Sequence, residues 1–209
     1  GGIVTLNADL TTLMIAAAGD IASDGAVNLT GNTGIFTAGD VTTTSDVANF
    51  NSATTLTGNV LINTTVTGTG GSVRFFSTLD DDGVLAAKTL GITAGTTGDV
   101  TFSGLVGNTA PLGAITITSA NDVTTNGVRA ASFVQTDGSG TTTLNLGDFA
   151  AGTDGAMQTT AALGVNIVNE TIAVNAGITT TGGGIVTLNA DLTTLTIAAA
   201  GDIASDGAV

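Results

Sequence analysis

The sequence predicts an all-β chain wound into a single-stranded parallel β-helix, a β-solenoid, of about 20 residues per coil. Three observations predict it. One long segment occurs twice, short alternating strands run the length of the chain, and a Gly-Asp turn signature returns at steps close to one coil.

The repetition comes first. GGIVTLNADLTTLMIAAAGDIASDGAV at residues 1–27 returns as GGIVTLNADLTTLTIAAAGDIASDGAV at 183–209, with Met14 replaced by Thr196 and a constant offset of 182. Near-identity over so many positions divides the chain into one long unit, 1–182, and the start of the next, 183–209. At about 20 residues a coil the unit would hold about nine coils and run roughly 40–45 Å at ~4.8 Å per coil. The unit opens without Met and the second copy breaks off at Val209. The chain is therefore expected to be a window on a longer tandem array.

The strands follow in order, each alternating with period two and bounded by Gly, Asn or Asp. Val4, Leu6 and Ala8 form one inward set; Leu13, Ile15 and Ala17 form the next, with Met14 outward. The Met14/Thr196 exchange agrees with that parity, because it is cheap on a solvated strand face and costly in a core. Val27/Leu29, 35–38, Val60/Ile62, Val73/Phe75 (with Arg74 and Phe76 opposite), Leu90/Ile92/Ala94 and Val100/Phe102 continue the pattern. Ile115/Ile117, Leu144/Leu146, Val165/Ile167 and Ile172/Val174/Ala176 complete it. No segment has a sustained 3.6-residue apolar period with caps, so no helix is expected. Val4, Leu6, Leu13, Ile15, Ile115, Ile117, Leu144 and Leu146 are the expected core. Residues 78–83, 107–113 and 136–141 are expected to bulge as turns, and 150–162 is weakly patterned.

Inside the long repeat, Gly19-Asp20-Ile21, Gly39-Asp40-Val41 and Gly58-Asn59-Val60 recur, followed by Gly98-Asp99-Val100, Asn121-Asp122-Val123, Gly147-Asp148-Phe149 and Gly201-Asp202-Ile203. A single coil cannot bury its apolar edge alone; stacking lets like sit on like and pairs every backbone group with the coils above and below.

Composition narrows the functional classes. The 209 residues include 31 Gly, one Pro, and no Trp, Tyr, Cys or His, and the core must be narrow and built from small branched side chains. Seventeen acidic residues against three basic ones, Arg74, Lys88 and Arg129, give a net charge of −14. That balance disfavours nucleic acid, which needs a basic stripe, and anionic membranes. Mean hydropathy is +0.47, yet Thr, Asn, Asp and Gly break every apolar run well short of the roughly 20 residues of a membrane span. Without Cys there are no disulfides or thiolate metal sites, a composition that fits an exported, acidic bacterial protein. No basic and apolar leader opens the sequence, so any signal peptide is expected outside it.

Strand-turn units such as LTIAAAGDIASDGAV (195–209), TAGDVTTTSDVANFNSATTLTGNVLINT (37–64) and ASFVQTDGSGTTTLN (131–145) resemble those of filamentous-haemagglutinin-like and β-strand-repeat giant surface proteins of bacteria. The resemblance covers most of the chain. It implies a right-handed parallel β-helix, often very long, exported to the cell surface. The shared motifs are stacking and turn residues, so it transfers no site residue.

Candidate sites are acidic. Asp20 and Asp40, one coil apart, could share Ca²⁺ ions, which take carboxylate and backbone oxygens; alternatively each Asp caps its own turn through a local bond. The nonapeptide pattern of calcium solenoids is absent. Asp80, Asp81 and Asp82 form the densest cluster. Adjacent strand residues point to opposite faces, no aromatic platform for a sugar accompanies them, and a solvated turn or weak cation site is the reading. A Ser-His or Cys-His pair is excluded by composition. The Thr runs 42–44, 141–143 and 179–181 suit exposed strands and do not recur at one place per coil as an ice-binding array would.

The expected function is therefore structural: a non-enzymatic repeat segment of a long extracellular β-helical filament or stalk, with no cofactor unless Ca²⁺ binds. Its expected partner is itself, through covalent tandem units or end-to-end coil stacking. The alternative is an adhesin surface for glycans or proteins on host or neighbouring cells, using Arg74, Phe76 and the Asp80–Asp82 stretch.

Overall fold

The computed structural model describes residues 1–150 and 154–209. Among the described residues the chain forms 22 strands, most of them short, and no helix. Their parallel stacking makes a β-solenoid of about nine coils with about 23 residues each.

Each complete coil gives one segment, a strand or in one case a single bridge, to each of three ladders. The first ladder stacks β1 (Val4–Ala8), β4 (Val27–Gly31), β7 (Ala48–Phe50), β10 (Val73–Phe75), β13 (Val100–Phe102), β15 (Val123–Thr125) and β17 (Thr141–Leu144). It ends on the second halves of β19 (Val165–Val174) and β21 (Val186–Ile197). The second ladder holds β2 (Leu13–Ile15), β5 (Ile35–Thr37), β8 (Thr54–Leu56) and β11 (Leu79–Asp81). It continues through a bridge at Val106 to the start of β16 (Val128–Gln135), then β18 (Met157–Thr159), β20 (Ile178–Thr180) and β22 (Ile203–Ala204). The third runs β3 (Ile21–Ser23), β6 (Val41–Thr43), β9 (Val60–Asn63), β12 (Leu90–Thr93) and β14 (Leu112–Ser119), then the end of β16 and the first halves of β19 and β21.

The coil is longer than the turn signature suggests because its corners are unequal. On the first ladder one coil carries the chain from Val123 to Thr142, and the next carries it from Thr142 to Ile172, a step half as long again. The stretch 78–83, expected as a turn, instead contributes β11 with Leu79 and Asp81 buried; the excursion lies one step on, at 83–89, between β11 and β12. Part of the weakly patterned stretch 150–162 lies outside the described residues; the rest includes β18.

Register places like on like. Leu29, Phe50, Phe75 and Phe102 form one inward row, and the three rings stack, with centroids 4.5 Å and 5.4 Å apart. Such offset stacks add to simple area burial. Of the expected core, Ile15, Ile115, Ile117 and Leu144 are buried, and Val4 and Leu13 half-buried. Leu6 points inward opposite Leu29 but is 36% exposed, having a coil on one side only. Leu146 must be corrected: it is 59% exposed. β17 ends at Leu144, and Asn145 already belongs to the corner, so the strand parity does not extend to Leu146. Ala17 is likewise exposed, in the turn after β2.

The two copies of the repeated segment close their coils with the same bonds, although 9–12 form a turn between β1 and β2 while the equivalent 191–194 run on inside β21. Val4 donates its N–H to Ala26 O and Val186 donates to Ala208 O, both at 2.9 Å. Ser23 Oγ donates to Gly2 O as Ser205 Oγ does to Gly184 O, and Asp24 and Asp206 accept the N–H of Gly2 and Gly184. Their positions around the axis differ. In the first copy VTLNA, LMI and IAS lie on the first, second and third ladders; in the second, VTLNA, LTI and IA lie on the third, first and second. The unit therefore spans seven coils and two further strands, from the first ladder of the first coil to the third ladder of the eighth, rather than nine coils.

Candidate functional site

The corner carboxylates and the Asp80–Lys88 excursion are the chemistry-bearing parts of the chain. Asp20 Oδ1 accepts the N–H of Asp40 at 2.9 Å, Asp40 Oδ1 accepts that of Leu61 at 2.7 Å, and Asn59 Oδ1 accepts that of Thr89 at 3.0 Å. Each acceptor thus reaches up one coil instead of capping its own turn. The cause is stacking: the residue before a strand lies directly under the amides that open the next coil's strand. Asp99 and Asp122 repeat the arrangement, accepting from Asp122 and Thr141.

These staples belong to different corners. The signatures at Asp20, Asp40 and Asn59 precede third-ladder strands, those at Asp99 and Asp122 precede first-ladder strands, and that at Asp202 precedes β22 of the second ladder. The apparent single row of carboxylates in the sequence is spread around the rod. Among the described residues no three acidic side chains converge to hold a metal ion. An amide stack reinforces the corner from the first ladder to the second: Asn175 Nδ2 donates to Asn145 Oδ1 at 2.9 Å, and Asn145 Nδ2 to Asn126 Oδ1 at 3.1 Å.

On β11 the three aspartates separate by strand parity. Asp80 faces outward and accepts the N–H of Thr109 at 2.7 Å. Asp81 points inward and is 6% exposed, in the row of Thr37 and Leu56. Its two oxygens take the N–H groups of Gly83 (2.8 Å) and Lys88 (2.7 Å), with the Lys88 ammonium 3.7 Å away. Asp82 Oδ1 accepts from Lys88 Nζ at 2.7 Å and from the Val84 amide at 2.9 Å. Lys88 Nζ also donates to Val84 O and Ala86 O. The ammonium thus clamps the 83–89 excursion, whose tip, Leu85, is 98% exposed. Its hydrogen bond, then that of the Val84 amide, holds the Asp82 carboxyl below the usual carboxylate range. The same bond raises Lys88 against the opposing desolvation.

This is a structural clamp by geometry: every carboxylate is engaged by backbone or lysine, and Asp80 and Asp81 lie on opposite faces of the strand. Arg74 lies on the first ladder and Asp80–Asp82 on the second. Phe76, 51% exposed, follows β10 at the corner between them. Another corner holds a fully buried polar cluster that sequence reasoning missed. Thr142 Oγ1 donates to Gln135 Oε1 at 2.6 Å, and Asn169 Nδ2 donates to Thr142 Oγ1 at 2.8 Å. Asn169 Oδ1 accepts the N–H groups of Gly140 and Glu170. The cluster satisfies the backbone where the 136–140 segment turns from the third ladder to the first. Its one visible signal was Gln135 at an inward parity position of an apolar strand.

No family model, curated protein or solved structure matches the sequence.

Proposed function

We propose that the chain is a structural repeat segment of a long extracellular, cell-surface β-helical filament or stalk. One observation carries the reading: the two copies of the repeated segment close their coils with the same backbone and Ser/Asp bonds at two places in one solenoid. A coil that closes with the same bonds wherever it occurs is a part that can be added without redesign, and solenoid stability grows by a nearest-neighbour term each time. The resemblance of the strand-turn units to giant bacterial surface proteins supports the extracellular setting. The mechanism is mechanical, resting on continuous backbone ladders, stacked apolar rows and corner carboxylates that staple coil to coil. It requires no cofactor and assigns no reaction, and the partner is the chain's own next coil, covalent or from another molecule.

Electron microscopy of chains with increasing numbers of the 1–182 unit tests this. Contour length should grow by roughly 37 Å per unit, at ~4.8 Å per coil. Compact particles whose length does not grow with unit number would refute it. The exposed Phe76, Val84 and Leu85 favour a second reading, an adhesin surface. Glycan-array binding that disappears in Phe76→Ala and Leu85→Ser would replace the stalk reading with that one.

A further inference from the structure

The two copies of the repeated segment stand at different angles around the rod axis. From the first to the second the chain advances seven coils and two strands, twenty-three strand positions in all. Three ladders make one coil, and twenty-three is not a multiple of three. The second copy is therefore set back by one ladder: Val4 lies on the first and Val186 on the third, Leu13 on the second and Leu195 on the first.

The displacement belongs to the chain path. In the second copy Val186 closes on Ala208 as Val4 does on Ala26, so the coil keeps its closing bond in its new position. Val209, the counterpart of Val27, thus arrives above Val186 on the third ladder, whereas Val27 lies above Val4 on the first. Whatever continues from it with the sequence that follows Val27 starts one ladder out of phase.

We infer that successive 1–182 units are turned by one third of a revolution about the rod axis, so that equivalent side chains return to the same face only at every third unit. This rests on the tandem-filament reading for its extension beyond the chain, but the phase shift itself is present between residues 1 and 209. It defines the interaction surface of the rod. The 83–89 excursion, with Leu85 at its tip, would project in three directions in three consecutive units. A flat partner lying along one side would meet equivalent excursions only every ~110 Å, the rise of three units at ~4.8 Å per coil. A partner that engages consecutive units must encircle the rod, and lateral association of rods must proceed on three sides rather than one.

The phase can be read by disulfide trapping, since the sequence contains no Cys. Thr196 is the register neighbour of Ala173 on the first ladder, while Thr179 lies on the second ladder beside Ala204. The pair Ala173→Cys/Thr196→Cys should oxidise to an intramolecular disulfide, detected by mass spectrometry of the unreduced digest. The pair Thr179→Cys/Thr196→Cys should not, because cross-linking needs Cα atoms within about 7 Å. If the copies were in phase, Thr196 would occupy the row of Met14 and Thr179, and the outcome would reverse; that reversal overturns the inference. For the array, a gold label at Leu85→Cys in a chain of several units should appear on three sides in turn. Labels along one side of a straight rod would refute the rotation while leaving the filament intact. Failure to form a rod would refute the filament while leaving the disulfide result standing.

Discussion

Replacing Phe75 by alanine removes the middle ring of the stack Phe50–Phe75–Phe102, whose centroid spacings are 4.5 Å and 5.4 Å. Phe75 is fully buried in the fourth coil, with coils on both sides. A buried Phe→Ala change costs about 3–5 kcal/mol through lost transfer energy and the remaining cavity. Two ring contacts, each worth about 0.5–1.5 kcal/mol beyond area, place this site in the upper part of that range, about 4 kcal/mol. Solenoid stability is a sum of coil and interface terms, so the loss is best read locally. Hydrogen exchange at the Val73 and Val100 amides, bonded to Asp99 O and Asp122 O at 2.8 Å, reports on these coils. At about 1.4 kcal/mol per decade, protection there should fall about a thousandfold. Phe76, next in sequence but 51% exposed, is the internal control. Phe76→Ala should change protection by less than about threefold, within the roughly ±0.5 kcal/mol of surface substitutions. Equal losses for the two phenylalanines, or less than a tenfold loss for Phe75→Ala, would refute the stacked-row account of stability.

Asp40→Ala should destabilise by about 1 kcal/mol, the net worth of one hydrogen bond, whereas Asp40→Asn, which keeps an acceptor for the Leu61 amide as Asn59 does for Thr89, should be nearly neutral in thermal melts. Gly70→Ala should cost more than about 2 kcal/mol, because its φ of +108° disfavours a side chain and the new Cβ would collide with the carbonyl oxygen of Ala94; chemical denaturation measures it. The Asp82–Lys88 clamp should titrate at both ends. Asp82 is shifted down, so its contribution is present above the ordinary carboxylate pKa and is lost as pH falls through the lowered value. Lys88 is shifted up, so its contribution is present below 10.5 and is lost as pH rises through the raised value. Limited proteolysis at Leu85 should therefore be slowest between those limits, and Lys88→Met should remove the alkaline limb and weaken the acid one, which the Val84 amide still supports.

The fold was legible because its signal is local. Alternation at Val73/Phe75 against Arg74/Phe76, and at Leu90/Ile92/Ala94, needs only neighbouring residues, and the structure buries the first of each contrasted set. Coil length was less legible because it depends on corners, where composition is similar and length is not. The 83–89 excursion and the long step from Thr142 to Ile172 both lengthen the coil without altering strand pattern. The Gly-Asp signature records that a corner occurs and not which one, so residues on three different corners read as one ladder. Asp81 shows the other limit: a carboxylate inside the core row is tolerated because Gly83 and Lys88 fold back over it, an arrangement made by a loop that no strand periodicity describes. Leu146 failed where a strand ends, and the Gln135–Thr142–Asn169 cluster joins residues too far apart in sequence to be seen as a group.

The recurrence of one closed coil on a different ladder means that the repeated segment encodes a ring but no compass bearing. The bearing is inherited from residues 28–182, which act as an angular counter. Removing one strand and its turn from that interval, about a third of a coil, would swing everything downstream by about 120° with both copies left untouched. A loss of three such pieces would restore the original aim, much as a triplet deletion restores a reading frame. Mutations that change length in the interior of the unit are thus sorted by their remainder: some shorten the rod, and others redirect it.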